Sequence, residues 1–224
     1  MMRPFKVWDD IYAIGGSEMS HPYDCSVYLL ATGDKLVVID SGAGDSFGKL
    51  VSNIQSLGFE PGNVAAVIAT HAHLDHIGAL HRFREEFGSQ VIAHELDAQA
   101  IETGVGTGAE FYGMDYQPCK VDIKLSQPEE VLRYDGLELR AVHIPGHTPG
   151  SIAAYTDMGK RVLFGQDVHG PYFLPGSNIA DARVSLLKLI DIEADILCEG
   201  HFGVYQPASE VRLYIEGYLH GLYG

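Results

Sequence analysis

The chain has 224 residues, enough to bury a full hydrophobic core and, by length, to form a single domain spanning 1–224. With 46% apolar and 20% charged residues it has the composition of a globular protein, which excludes a disordered or fibrous chain. A formal net charge of −15 opposes binding to a phosphate backbone and so argues against a nucleic-acid partner.

Two apolar, β-rich runs, Val27–Leu30 and Lys35–Ile39, flank Thr32-Gly33-Asp34 and predict a hairpin. From Asp45 to Leu57 the apolar positions Phe47, Leu50, Val51, Ile54 and Leu57 recur at helical spacing, and Gly58 ends the pattern. A strand, Val64–Ala69, leads into a histidine-rich stretch, followed by a helix over Ile77–Phe87 and a short strand at Val91–Ala93. Residues 104–119, rich in Gly and polar side chains, predict no element. The pattern from 120 to 164 is all strand: Val121–Leu125, Glu130–Tyr134, Leu137–Ile144, Ser151–Thr156 and Arg161–Phe164, with turns at Asp135-Gly136 and Met158-Gly159. A helix over Ala182–Ile192, a strand Asp195–Cys198 and a helix over Pro207–Leu219 close the chain. Two groups of strands, each followed by helices, predict an α/β (α+β) fold: two sheets face to face with helices outside, a four-layer αββα sandwich.

No uncharged apolar run approaches the roughly 18 residues that span a bilayer, and Met1-Met2-Arg3-Pro4-Phe5-Lys6 lacks the apolar stretch of a secretion signal. Cys25, Cys119 and Cys198 form no CxxC pair and fit free thiols in a reducing compartment. A cytoplasmic protein with no membrane partner is expected.

Within His71-Ala72-His73-Leu74-Asp75-His76 four of six residues are strong metal ligands. From the chain's own His and Asp content a His-x-His-x-Asp-His pattern arises by chance roughly 0.002 times. The stretch lies between a strand and a helix, where α/β proteins gather functional groups. His147 in Pro145-Gly146-His147-Thr148-Pro149-Gly150, Asp167 in Gly165-Gln166-Asp167 and His201 in Glu199-Gly200-His201 also follow strands, each with a nearby glycine that permits a sharp turn. Neutral imidazole and carboxylate suit zinc, with iron or manganese as alternatives.

In order and approximate spacing, Asp40, the 71–76 stretch, His147, Asp167 and His201 resemble the five sequence motifs of the metallo-β-lactamase superfamily. The resemblance implies that His71, His73 and His147 bind one metal, that Asp75, His76 and His201 bind a second, and that Asp167 bridges them. Asp40 would orient the site; the competing structural reading is a brace for the loop before the helix at 45. Two zinc ions would polarise a carbonyl and bring a bridging water to hydroxide near neutral pH, with no serine or cysteine nucleophile. His169 and Tyr172 follow Asp167 closely enough to touch a substrate oxygen, so they join Asp75 and Asp40 as candidate catalytic groups. His21 lies on a loop expected to border the pocket. His143 is a candidate support for the His147 loop, while His81, His94 and His220 are expected to pack or face solvent.

The fold supports many reactions. The second site lacks the cysteine ligand of one class of penicillin-hydrolysing relatives, and another such class lacks the bridging carboxylate that Asp167 supplies. RNA-processing members need a large inserted domain, and flavodiiron proteins place a glutamate where this chain has His73. The Ile144–Ser151 segment resembles glyoxalase II-like and lactonase-like hydrolases. Only about twenty residues follow His201, where true hydroxyacylglutathione hydrolases carry a helical domain that helps bind glutathione, so glutathione is not the expected substrate, and Gly170 stands where acyl-homoserine lactonases carry a tyrosine. The expected function is hydrolysis of a small ester, thioester or lactone. The alternatives are a mononuclear-iron persulfide dioxygenase using His71, His147 and Asp167, and a non-catalytic metal-binding scaffold. The expected partner is a small-molecule substrate, with a homodimer left open.

Overall fold

The computed structural model describes residues 2–222. In chain order its elements are β1 (Phe5–Trp8), β2 (Ile11–Gly15), β3 (Val27–Thr32), β4 (Lys35–Ile39), α1 (Phe47–Ser56), β5 (Val64–Ile68), α2 (Leu74–Ile77), α3 (Leu80–Phe87), β6 (Gln90–His94), α4 (Glu95–Thr103) and α5 (Ala109–Tyr112). There follow β7 (Ile123–Leu125), β8 (Glu129–Tyr134), β9 (Leu137–His143), β10 (Ile152–Asp157), β11 (Arg161–Phe164), α6 (Ile179–Asp191), β12 (Ile196–Cys198), β13 (Val204–Tyr205) and α7 (Ala208–Gly221).

Strands β1 to β7 form one sheet in sequence order, and the second runs β13-β12-β11-β10-β9-β8. Side-chain alternation explains why the central strands read as unbroken apolar runs. In β3, Val27 and Leu29 pack toward α1 and α3, while Tyr28 and Leu30 face the second sheet. Leu36 and Val38 divide from Val37 and Ile39 in the same way along β4. From the other side, Leu139, Ala141, Ala154, Val162 and Phe164 fill the space between the sheets. Leu163 and Leu197 point outward, with Leu186 and Leu189 of α6 and Val211 and Ile215 of α7. The result is the four-layer αββα sandwich expected from the pattern, and no described helix is long and apolar enough to cross a membrane.

Three differences from the sequence reading have physical causes in the fold. The hairpin β1–β2 went unread because its outer strand is half exposed and carries no alternation. Helix α4 escaped because only Asp97, Ala98 and Ile101 of its nine residues are buried, too few for a helical stripe. The helix expected from Ile77 is broken: Gly78 donates its N–H both to Gly42 and to Leu74, ending α2 before α3 starts.

The parallel pairs β4–β5 and β11–β12 bring their C-terminal ends to one edge of the sandwich. There the connections after β4, β5, β9, β11 and β12 meet.

Candidate metal centre

Each of the seven candidate ligands stands on one of these connections. His71 and His73 follow β5, and Asp75 and His76 lie in the single turn α2, so one short segment turns four side chains inward. His147 comes from the β9–β10 loop, Asp167 from the end of β11 and His201 from the end of β12.

The structure brings all seven together. Ligand atoms of His71, His73 and His147 lie within 4.8 Å of one another, as do those of Asp75, His76 and His201, and those of His71, His76 and Asp167. Asp167 stands between the two trios: Oδ2 is 3.1 Å from His147 Nε2 and 3.8 Å from His71 Nε2, whereas Oδ1 is 3.3 Å from His76 Nε2 and 3.4 Å from His201 Nε2. The second trio is completed by Asp75 Oδ2, at 3.5 Å from His76 Nε2 and 3.3 Å from His201 Nε2. Ligands about 2.0–2.1 Å from a tetrahedral zinc are separated by about 3.3 Å, which is the spacing seen around Asp167 Oδ1. The buried atoms His71 Nε2, His76 Nε2 and Asp167 Oδ1 make no hydrogen bond among the described residues. Stranded polar atoms of this kind are costly without a partner, so the donor set fits a pair of divalent ions.

Electrostatics agree with the geometry. Burial and the neighbouring imidazoles hold His71 well below the ordinary histidine range and bring His73 down to about 4, keeping both in the neutral form that binds metal. Burial opposes charge on Asp167, but the imidazoles around it, His76 and His71 first and then His147 and His201, outweigh it and hold its carboxyl well below the usual range. Burial likewise pulls on His201, yet Asp167 and Asp75 raise it to about 9. A divalent ion would supply the positive charge these carboxylates otherwise draw from a proton.

Outer contacts fix the rings. Asp40 sits at the end of β4 in the left-handed region, φ 59°, and its Oδ2 accepts from His76 Nδ1 at 2.7 Å, leaving Nε2 for a metal. The same carboxylate accepts from the Thr70 N–H and hydroxyl, each at 2.7 Å, tying β4 to the start of the histidine stretch. The Pro171 carbonyl accepts from His147 Nδ1 at 2.9 Å. At Gly200 a Cβ would lie 2.7 Å from Asp167 Oδ1, so glycine lets the turn after β12 pass this close to the carboxylate between the trios. Cys25 lies within 4.8 Å of Asp40 and His76, and burial pushes its thiol up, so it is a neutral neighbour there rather than a thiolate.

His169 joins Asp167 and His201 within 4.8 Å, with Nδ1 held by Glu199 at 2.8 Å. Tyr172 lies edge-on to His147 beside a small inner cavity, and its hydroxyl donates to the Val168 carbonyl at 2.7 Å. His21 contacts Tyr23 instead of the ligands, and His143 stacks on His94 with 3.9 Å between ring centroids.

Sequence reasoning did not single out three contributors. Buried Asp97 in α4 accepts from Ala72 N–H at 2.9 Å, Thr148 hydroxyl at 2.7 Å and Gly150 N–H at 2.7 Å, clamping the histidine stretch to the His147 loop. Buried Glu199 accepts from the His201 and Phe202 N–H groups as well as from His169. Tyr112, in the stretch with no predicted element, lines the pocket over the ligands and lies beside Asp75. A lone Asp in a weak helix carries no signal that could have found Asp97, whereas the Glu-Gly-His spacing hinted at Glu199.

Residues 22–201 match the sequence model of the metallo-beta-lactamase superfamily. The chain belongs to that superfamily and is one of its hydrolases, with His/Asp clusters able to hold divalent metal. It is 29% identical to the hydroxyacylglutathione hydrolase GloC of Haemophilus influenzae, over 54% of this chain and 55% of the relative. It is 28% identical to the acyl-coenzyme A thioesterase MBLAC2 of Gallus gallus, over 84% of this chain and 76% of the relative. Among solved structures, a HARLDQ-motif mutant metallo-beta-lactamase from Cronobacter sakazakii superposes with a TM-score of 0.83 at 22% identity, covering 100% of this chain and 96% of that one, which shows the shared fold.

Proposed function

We propose that the protein is a dinuclear hydrolase of a small ester, thioester or lactone, and that zinc is its metal. The observation that carries the reading is the Asp167 carboxylate, one oxygen turned to each ligand trio. Two relatives whose names place them on acyl–thiol compounds support the choice of bond.

His71, His73 and His147 would hold one ion, Asp75, His76 and His201 the other, and Asp167 would bridge them. When bound, such a pair polarises a carbonyl and lowers the pKa of a water between the ions to about 7. The chain's own groups supply the rest. Asp40 and Pro171 set the ring orientations of His76 and His147. His169, whose Nδ1–H donates to Glu199, lines the pocket, where the lone pair of its Nε2 would accept a hydrogen bond from a substrate or water group. Tyr172 would act through His147, against which it packs. Three unpaired, buried cysteines fit a cytoplasmic setting.

The test combines elemental analysis of protein purified without added metal with a panel of thioesters, esters and lactones. Close to two transition-metal ions per chain and metal-dependent hydrolysis are expected. His76→Ala should lose one ion and cost about two orders of magnitude or more in turnover while leaving the fold intact. A single tightly bound iron, with oxygen uptake in the presence of persulfide, would replace this reading by the dioxygenase.

A further inference from the structure

The pocket above the ligands encloses about 490 Å³, within the range of a small-molecule site. Two segments wall it, 106–112 and 171–175, and both bring apolar side chains: Phe111, Pro171, Leu174 and Pro175 line it, with Tyr112 nearer the ligands. Phe111 and Phe173 are 78% and 83% exposed, more than folding alone explains for two phenylalanines on facing segments. Apart from the candidate ligands, the one carboxylate lining the pocket among the described residues is Glu110, and no described Lys or Arg lines it.

Building on the hydrolase reading, we propose that the substrate is uncharged outside the bond that is cleaved: an ester, thioester or lactone whose acyl and leaving groups carry apolar matter and no phosphate or carboxylate. An anionic arm leaving water needs a cation or a set of donors in exchange, and without one the desolvation is not repaid. Several of the chain's cations are engaged elsewhere. Arg84 pairs with Asp122, Lys124 with Glu102 and Arg140 with Glu129 and Glu138, while Lys160 lies over the Trp8 ring. Glu110 adds repulsion at the mouth, and the −15 net charge extends it outward over roughly 8 Å at physiological salt. Asp75, Asp167 and the reacting oxygen would offset most of the positive charge of a bound metal pair, and what remains lies at the scissile group instead of a distant arm. Glutathione and coenzyme A esters, the compounds named for two relatives, are therefore poor fits.

Matched probes test this on the zinc-loaded protein. S-butanoyl-N-acetylcysteamine and butanoyl-coenzyme A share the acyl group and the end of the thiol arm but differ in charge. Their 2-oxopentyl thioether counterparts cannot be hydrolysed and report binding by calorimetry. The neutral thioether should bind about ten-fold or more tightly than its coenzyme A counterpart, with a similar ratio of kcat/KM for the thioesters. Glu110→Lys should improve binding of the coenzyme A thioether about three-fold at low salt, a gain that high salt removes, and leave the neutral one unchanged. Equal or tighter binding of the coenzyme A thioether overturns the proposal, as does failure of the neutral one to bind. Preferential binding of the neutral thioether, with no turnover of either thioester or of any neutral ester or lactone, would sink the hydrolase reading and leave charge selection standing.

Discussion

Asp97 shows how much a residue outside the ligand set can decide. Its two oxygens receive three donors from the two loops that present His71, His73, Asp75, His76 and His147, and it is buried. Asp97→Asn keeps the shape but turns an NH2 group toward one side of the clamp, where it meets a donor. A buried unsatisfied donor costs about 1–3 kcal/mol, and displaced supports of metal ligands typically cost about 10–100-fold in metal affinity or activity. Chelator competition should therefore show at least roughly ten-fold weaker metal retention in the variant. Wild-type retention would mean that the loops hold their places without the clamp.

Between elements, the contact that matters most is the approach of α2 to the connection after β4. A Cβ at Gly78 would lie 2.1 Å from both the carbonyl carbon and oxygen of Ala43, backbone atoms that cannot step aside. That closeness lets Ser41 N–H donate to the His76 carbonyl at 2.7 Å and keeps His76 within reach of Asp40. Gly78→Ala should destabilise the protein by about 3 kcal/mol, the upper end of ordinary overpacking, because backbone must move. Urea unfolding measures it, and a loss under about 1 kcal/mol would show that the loop after β4 yields easily. The same approach explains the broken helix: periodicity alone continues through Gly78, but the tertiary contact stops it.

For the whole molecule, the centre joins two sheets. Asp40 and the 71–76 stretch belong to the first, His147, Asp167 and His201 to the second. Metal held there would favour the folded state, in which ligands from both sheets converge, and at about 1,000 times its dissociation constant would add up to about 4 kcal/mol. For a chain of this size, stripping it should lower the thermal midpoint by on the order of 10 °C. Scanning calorimetry before and after chelation, with zinc added back, checks this; an unchanged midpoint would argue that the sheets pack independently of the centre.

Much of this was legible in the chain. Apolar runs marked the central strands because both of their faces are buried, and helical spacing marked α1, α3, α6 and α7, whose stripes pack on the sheets. The ligand residues announced themselves because four of them crowd into six positions. Local sequence could not report what depends on contacts between distant segments: the unpatterned α4 that carries Asp97, the α5 wall that brings Phe111 and Tyr112 over the ligands, and a pocket lined, among the described residues, by no Lys or Arg. Side-chain periodicity records whether a residue is buried, because burial repeats along an element. A partner from another sheet or loop leaves no such period, so only the folded chain decides which groups meet and what charge surrounds them.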